Sequence, residues 1–231
     1  MRPRQPGPVF VVHTRRLAAR RATLVRALEQ FGWTSRWVEH PDSADIGFAD
    51  RLRRRVHPRL NSTEISVYYK HTAVLREIAA QQESPAFVLE DDPVFPDRFG
   101  SLFNHSLSRV PPDFDLVFFG ASCGMETTPL PDNALFGAVD RTRSLSAFVV
   151  TTRCAALLAA ELSRRPISEP VDLAVDRLIR EHRLRAYWSV PALVANGSET
   201  GLVERSIVEG AWRHHRVMRW VRAAADWFAR R

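Results

Sequence analysis

The sequence predicts an α/β fold with a mainly parallel central sheet flanked by helices. Three observations carry the prediction. Short β-rich runs alternate with longer segments whose apolar residues recur at helical spacing. Several runs, "AFVLE" and "DLVFFGAS" among them, are apolar almost throughout, as in strands covered on both faces. The chain of 231 residues is 45% hydrophobic with Phe 13 and Trp 6, enough to bury one large core.

In order along the chain, "PVFVVHT" (Pro8 to Thr14) reads as a strand feeding a helix that carries Leu17, Leu24, Ala27, Leu28 and Phe31 on one side. Gly32 closes that helix as a C-cap. Ser35 to His40 is a second strand, and the polar, arginine-rich Pro41 to Leu60 an irregular connection. Asn61 caps a helix with Glu64 at its third position, and Ile65, Tyr68, Tyr69, Thr72, Leu75 and Ala79 continue an apolar face to about Gln82. "AFVLE", Asp115 to Ser122 and Ser144 to Thr151 are three further strands. Thr151 or Thr152 caps a helix through Leu162, and a proline at the first position opens another after Ser168 or Glu169. "RAYWSVPALV" reads as the last strand.

Composition narrows the function classes. The formal charge of +7 is arginine's, since Lys70 is the one lysine in the chain. No block is both strongly basic and interleaved with aromatics, so nucleic acid is not an expected partner. Cys123 and Cys154 form no CxxC pair, which fits a reducing compartment and ordinary buried thiols. The apolar run near the N-terminus is too short for a signal-peptide core, and nowhere do about 18 uncharged apolar residues follow one another, so a cytoplasmic protein is expected.

"FVLEDDPVF" ends a hydrophobic strand on Glu90, Asp91 and Asp92. In open α/β sheets the ligand crevice lies beyond the carboxyl ends of the strands, so the place of this triplet matters as much as its composition. Adjacent carboxylates repel one another and resist burial. A divalent cation compensates them, and hard oxygen ligands favour Mg²⁺ or Mn²⁺ with a nucleotide diphosphate completing the shell. The other reading is that these acids cap the turn before Pro93 or face solvent.

"FVLEDDPVF", preceded by "VVHTRRLAARR" and "TEISVYYKHTAVLREI", resembles glycosyltransferase family 25, which includes lipooligosaccharide and collagen galactosyltransferases. "SAFVVTTRCAALLAA", "EPVDLAVDRLI" and "VPALVANGSETG" agree with the family in the same order, so the resemblance runs from about Val9 to Gly201. It implies a GT-A type fold over residues 1–205 and an inverting transfer of a galactose-like hexose from a nucleotide sugar, usually UDP-linked, with Mn²⁺. The acceptor it implies is a glycan or a lipid-linked oligosaccharide, as in lipopolysaccharide assembly. A catalytically silent relative that binds a nucleotide or glycan is the alternative.

The resemblance also distributes roles. Asp92 is the implied main metal ligand, with Glu90 sharing ligation and with Glu90 and Asp91 also reaching the donor. Asp172, in "PVDL", is the implied base, its alternative being to oppose the helix dipole in a first turn. Arg16 and Arg20 follow the first strand, where guanidinium groups can meet a diphosphate, their other reading being solvated surface arginines in a chain with 33 Lys+Arg. Glu64 and His71 share a helix face and match donor-side positions, with capping and backbone bonding as their other readings. Asn196, where the family has Gln, and Ser198 are implied acceptor or nucleotide contacts, though "NGS" also makes an ordinary turn. His13, Arg15, Thr63, Ser66 and Lys70 depart from the family pattern, which bears on donor identity. Finally, residues 206–231 read as a basic amphipathic helix, suited to packing on its own domain or a second subunit, or to peripheral contact with an anionic membrane.

Overall fold

The computed structural model describes residues 6–46, 56–82, 85–121, 136–142, 144–190 and 192–200. The expected C-terminal helix over 206–231 and Cys123 lie outside the described residues.

The elements run β1 (Val9–Val12), α1 (Ala18–Phe31), β2 (Ser35–Val38), α2 (Ser43–Ile46), α3 (Ser62–Ala79), β3 (Ala86–Glu90), β4 (Pro93–Val94), α4 (Phe99–Leu107), β5 (Leu116–Phe118), β6 (Gly120–Ala121), β7 (Phe136–Val139), β8 (Ala147–Val150), α5 (Thr152–Arg164), α6 (Val171–His182), β9 (Ala186–Ser189), β10 (Val194–Asn196) and α7 (Gly197–Thr200). A seven-stranded sheet has the order β2-β1-β3-β8-β5-β9-β7. Its pairings make β2, β1, β3, β5 and β9 run one way and β8 and β7 the other. The predicted α/β fold with a mainly parallel sheet flanked by helices is therefore the one observed. A small sheet, β4-β10-β6, sits where β3 and β5 end.

Period-two alternation divides the core between the two sheet faces. Phe10, Val12, Val88, Phe118, Phe148 and Val150 pack under α3, α5 and α6. Val9, Val11, Phe87, Leu89, Val117 and Val149 pack under α1 and α4, where Trp33, Phe99 and Phe103 form an aromatic cluster. Each such side chain fully withdrawn from water contributes about 1.5–3 kcal/mol, and so the central strands read as unbroken apolar runs.

The helix boundaries follow their caps. Gly32 ends α1 in the left-handed region at φ 74°, as glycine permits. Asn61 and Glu64 form the predicted capping box of α3. Thr151, not Thr152, caps α5 by accepting from the Cys154 amide. Pro170 is the N-cap of α6 itself, one position earlier than expected, where its missing N–H costs nothing. Three other readings are corrected. The Pro41–Leu60 connection contains the short helix α2. "RAYWSVPALV" divides into β9 and β10, on different sheets. The Asp115–Ser122 run likewise passes from β5 to β6 of the small sheet.

Candidate functional site

The chain leaves the sheet at the carboxyl end of β3 through Glu90, Asp91 and Asp92, and each carboxylate has a different environment. Asp91 turns inward. Its Oδ2 accepts from His13 Nδ1 at 2.7 Å and from the Thr14 amide at 3.0 Å, and its Oδ1 accepts from Arg20 Nη1 at 2.8 Å. Burial pushes this carboxyl up, but the bonds from His13, Thr14 and Arg20 and the guanidinium charge outweigh it, holding the group below the ordinary 3.8. Asp91 thus fastens the β1–α1 loop and the first turn of α1 to the end of β3.

Asp92 is 5% exposed. Its Oδ2 accepts from the Ser198 amide at 2.9 Å and lies 3.4 Å from Arg20 Nη1, while its backbone carbonyl accepts from the Gly197 amide at 2.7 Å. Burial raises this carboxyl, Arg20 and Ser198 compensating only in part. Glu90 is the most accessible of the three, with a quarter of its side chain exposed, and its Oε1 lies 3.2 Å from His71 Nε2.

His71 comes from α3, is fully buried and stacks on Phe148. Burial drives its pKa down from 6.5 to about 4, with the Asp172 carboxylate pulling the other way and Lys70 adding to the depression. The ring is neutral at pH 7, so Nε2–H donates to Glu90 and Nδ1 is left as a buried acceptor with no hydrogen-bond partner. The charge of Asp172 reaches this ring from the first turn of α6. The histidine beside the β3 carboxylate Glu90 thus also feels the charge of a carboxylate on α6.

The sequence-expected residues divide accordingly. Arg20, His71, Glu90, Asp91, Asp92 and Ser198 gather at the carboxyl end of β3, and Asp172, in the first turn of α6, acts on His71 by its charge. Asn196 ends β10 beside them, its Oδ1 accepting from Ser198 Oγ at 3.0 Å. Arg16 is exposed in the loop just before α1. Glu64 has the capping role weighed for it, its Oε2 accepting from the Asn61 amide at 2.9 Å. Tyr68, on the same helix, belongs to the core: its hydroxyl donates to the Leu162 carbonyl, and burial raises it to about 12.

A second group was not read as functional. Lys70 is completely buried, and its Nζ donates to the His13 carbonyl at 2.7 Å and to Asp42 Oδ1 at 3.2 Å. Asp42 Oδ2 accepts from the Arg15 amide at 3.0 Å. The sign available in the sequence was that Lys70 is the only lysine; Asp42, in a polar loop, had none.

The fit of a divalent cation can be judged from these donors. Asp91 is unsuited, since both its oxygens are engaged by His13, Thr14 and Arg20. Among the described residues no three His, Cys, Asp or Glu side chains converge as a metal site. Mg²⁺-type ions in phosphate-transfer sites are commonly held by one or two carboxylates plus substrate oxygens, and Asp92 with Glu90 fits that pattern. The hydrogen bond and ion pair of Asp92 given by the described residues fall on Oδ2.

No family model matches the chain, and no curated protein does. Among solved structures, a glycosyltransferase involved in the glycosylation of the major capsid of PBCV-1 is similar over 93% of this chain and 99% of that chain, with TM-score 0.47 and 8% identity. The inositol-1-phosphate CTP transferase from T. maritima is similar over 81% of this chain and 68% of that one, with TM-score 0.38 and 14% identity. At these values the likenesses say nothing of the chemistry, which is read from the side chains. No described helix is long and apolar enough to cross a membrane.

Proposed function

We propose that this chain is a GT-A type glycosyltransferase that moves a galactose-like hexose from a nucleotide sugar, in the first instance a UDP-sugar, to a glycan or glycolipid acceptor. The observation that supports it most is the clustering of Glu90 and Asp92 at the carboxyl end of β3 with a separate carboxylate, Asp172, whose charge reaches the histidine bonded to Glu90. A glycosyl transfer with inversion needs two such functions.

Asp92 and Glu90 would hold Mn²⁺ or Mg²⁺, which supplies charge stabilisation for the departing diphosphate. Arg20, already aligned by Asp91, sets positive charge beside Asp92, and exposed Arg16 adds to the field that meets the donor's phosphates. Asp172 takes the proton of the acceptor hydroxyl as that oxygen bonds to the anomeric carbon and the bond from that carbon to the phosphate oxygen breaks. Asn196, the last residue of β10, and Ser198, in α7, would make the acceptor or nucleotide contacts. The expected setting is cytoplasmic, with residues 206–231 available for peripheral membrane contact.

The test is calorimetric titration of UDP, GDP and their hexose conjugates, with and without Mn²⁺, into the wild type and Asp92→Asn. Cation-dependent binding of one nucleotide sugar that collapses in the variant is expected. A donor bound but never transferred, with Asp172→Asn indistinguishable from the wild type, would favour the silent, binding-only relative.

A further inference from the structure

We propose that Lys70 is a positioning residue for the donor site, holding the β1–α1 loop in the shape that meets the nucleotide end of the donor; the inference rests on the transferase reading above. Lys70 is the one lysine in a chain with 33 Lys+Arg, and it is 0% exposed. Where arginine serves every other basic position, a lysine retained at a sealed site points to a need for a compact ammonium, which a planar guanidinium does not meet.

Its partners explain the need. Nζ donates at 2.7 Å to the carbonyl of His13, the residue whose ring bonds Asp91, and at 3.2 Å to Asp42 Oδ1. Asp42 passes the tie back to the loop, since its Oδ2 accepts from the Arg15 amide at 3.0 Å and lies 3.4 Å from Arg15 Nε. Arg15 Nη2 bonds Asp45 at 3.0 Å. On the same helix, Ser66 Oγ donates to the Pro41 carbonyl at 2.8 Å, fixing the segment that carries Asp42. His13, Thr14 and Arg15 are thus held between two buried carboxylates, Asp91 on one side and Asp42 on the other, with Lys70 of α3 tying the His13 carbonyl to Asp42. Hydrogen bonds link His13, Arg15 and Lys70 in one network with Asp91 and Asp42. The loop they shape leads directly to Arg16 and Arg20.

A lysine that merely filled the core would affect stability alone; a positioning lysine also governs the loop and the ligand. Full-length wild type, Lys70→Arg, the double variant Lys70→Met with Asp42→Asn, and Tyr68→Phe are compared, each shown to be folded by its melting curve. The double variant removes both charges, so no lone buried ion is left. Tyr68→Phe removes a buried hydrogen bond from the same helix without touching the loop. The readouts are amide exchange across Thr14 to Leu17 without ligand, and the affinity for UDP with Mn²⁺. Lys70→Arg and the double variant are expected to exchange faster at Arg15 and to bind UDP about tenfold or more weakly, the range typical of removing a group that orients a site. Tyr68→Phe is expected to match the wild type in both. Wild-type exchange and affinity in the double variant, or equal losses in Tyr68→Phe, would overturn the proposal. If the wild type binds no nucleotide, the transferase reading fails on its own account. The donor-positioning role falls with it, and the exchange arm then decides only whether Lys70 holds the loop, unchanged protection overturning that as well.

Discussion

Arg20 Nη1 lies 2.8 Å from Asp91 Oδ1 and 3.4 Å from Asp92 Oδ2, so one guanidinium from α1 serves two adjacent carboxylates at the end of β3. The two aspartates are nevertheless unequal. Asp91 is held ionised below its ordinary range by three donors, whereas burial raises Asp92.

That inequality predicts opposite outcomes for two conservative substitutions. Asp91→Asn turns an amide toward donors that need an acceptor and strips Arg20 of its closest partner, at a cost of about 3 kcal/mol or more. Asp92→Asn replaces a carboxyl that burial already disfavours in its charged form, and is expected to change stability by about 1 kcal/mol or less while abolishing cation-dependent nucleotide binding. Urea denaturation of both variants checks the first half and calorimetry the second. Equal destabilisation would show that Asp91 has no special anchoring role.

The burial of His71 predicts a stability profile. Its pKa falls from 6.5 in the unfolded chain to about 4 in the folded one, so between those values the unfolded state binds a proton that the folded state refuses. The contribution is complete above pH 6.5 and is lost as pH falls toward 4, amounting to about 3 kcal/mol at most. In His71→Gln, unfolding free energies measured from pH 7 to pH 4.5 are expected to decline less steeply than in the wild type. Parallel slopes would mean that the ring takes up its proton equally in the folded and unfolded protein, so that burial does not depress it.

How far the site was legible depends on the range of the contacts that make it. Local signals were sufficient for β1, β3, β8 and the α3 cap, because continuous apolar runs and an Asn–x–x–Glu spacing act within a few residues. They were also sufficient to mark Glu90, Asp91 and Asp92, since three acids at a strand end is itself an anomaly. The sorting of the triplet was not legible. It depends on His13, 78 positions from Asp91, and on Ser198, 106 positions from Asp92. The Lys70–Asp42 pair had no local sign on the Asp42 side, whereas α4 carries a local sign the sequence reading did not use, Phe99, Leu102, Phe103 and Leu107 standing at helical spacing in "FGSLFNHSL". The residue types were legible; their pairing needed three dimensions.

The capping box predicts a separation between stability and binding on α3. Asn61→Ala removes the acceptor for the Glu64 amide and is expected to cost about 1 kcal/mol, and Glu64→Ala a similar or smaller amount by freeing the Asn61 amide. Neither is expected to alter nucleotide affinity, because the Glu64 side chain is turned back onto its own helix. Paired melting curves and titrations test this, and a large loss of affinity in Glu64→Ala with normal stability would return Glu64 to the donor site.

Gly120 and Ser146 give a last prediction, at the joint between the two sheets. A Cβ on Gly120 would lie 2.4 Å from Ser146 Oγ and 3.0 Å from the Ala147 amide nitrogen, so Gly120→Ala overfills a buried space. A cost of about 1–3 kcal/mol is expected. Ser146 Oγ is itself buried without a hydrogen-bond partner, which makes Ser146→Ala neutral or slightly stabilising by the desolvation argument. The same change removes the closer of the two clashing atoms, so Gly120→Ala with Ser146→Ala should recover a large part of the loss, and the two effects should be strongly non-additive. A double-mutant cycle in urea measures this directly. Simple additivity would show that the strain in Gly120→Ala comes from the Ala147 backbone, and that the unpartnered hydroxyl plays no part in how closely β6 approaches β8.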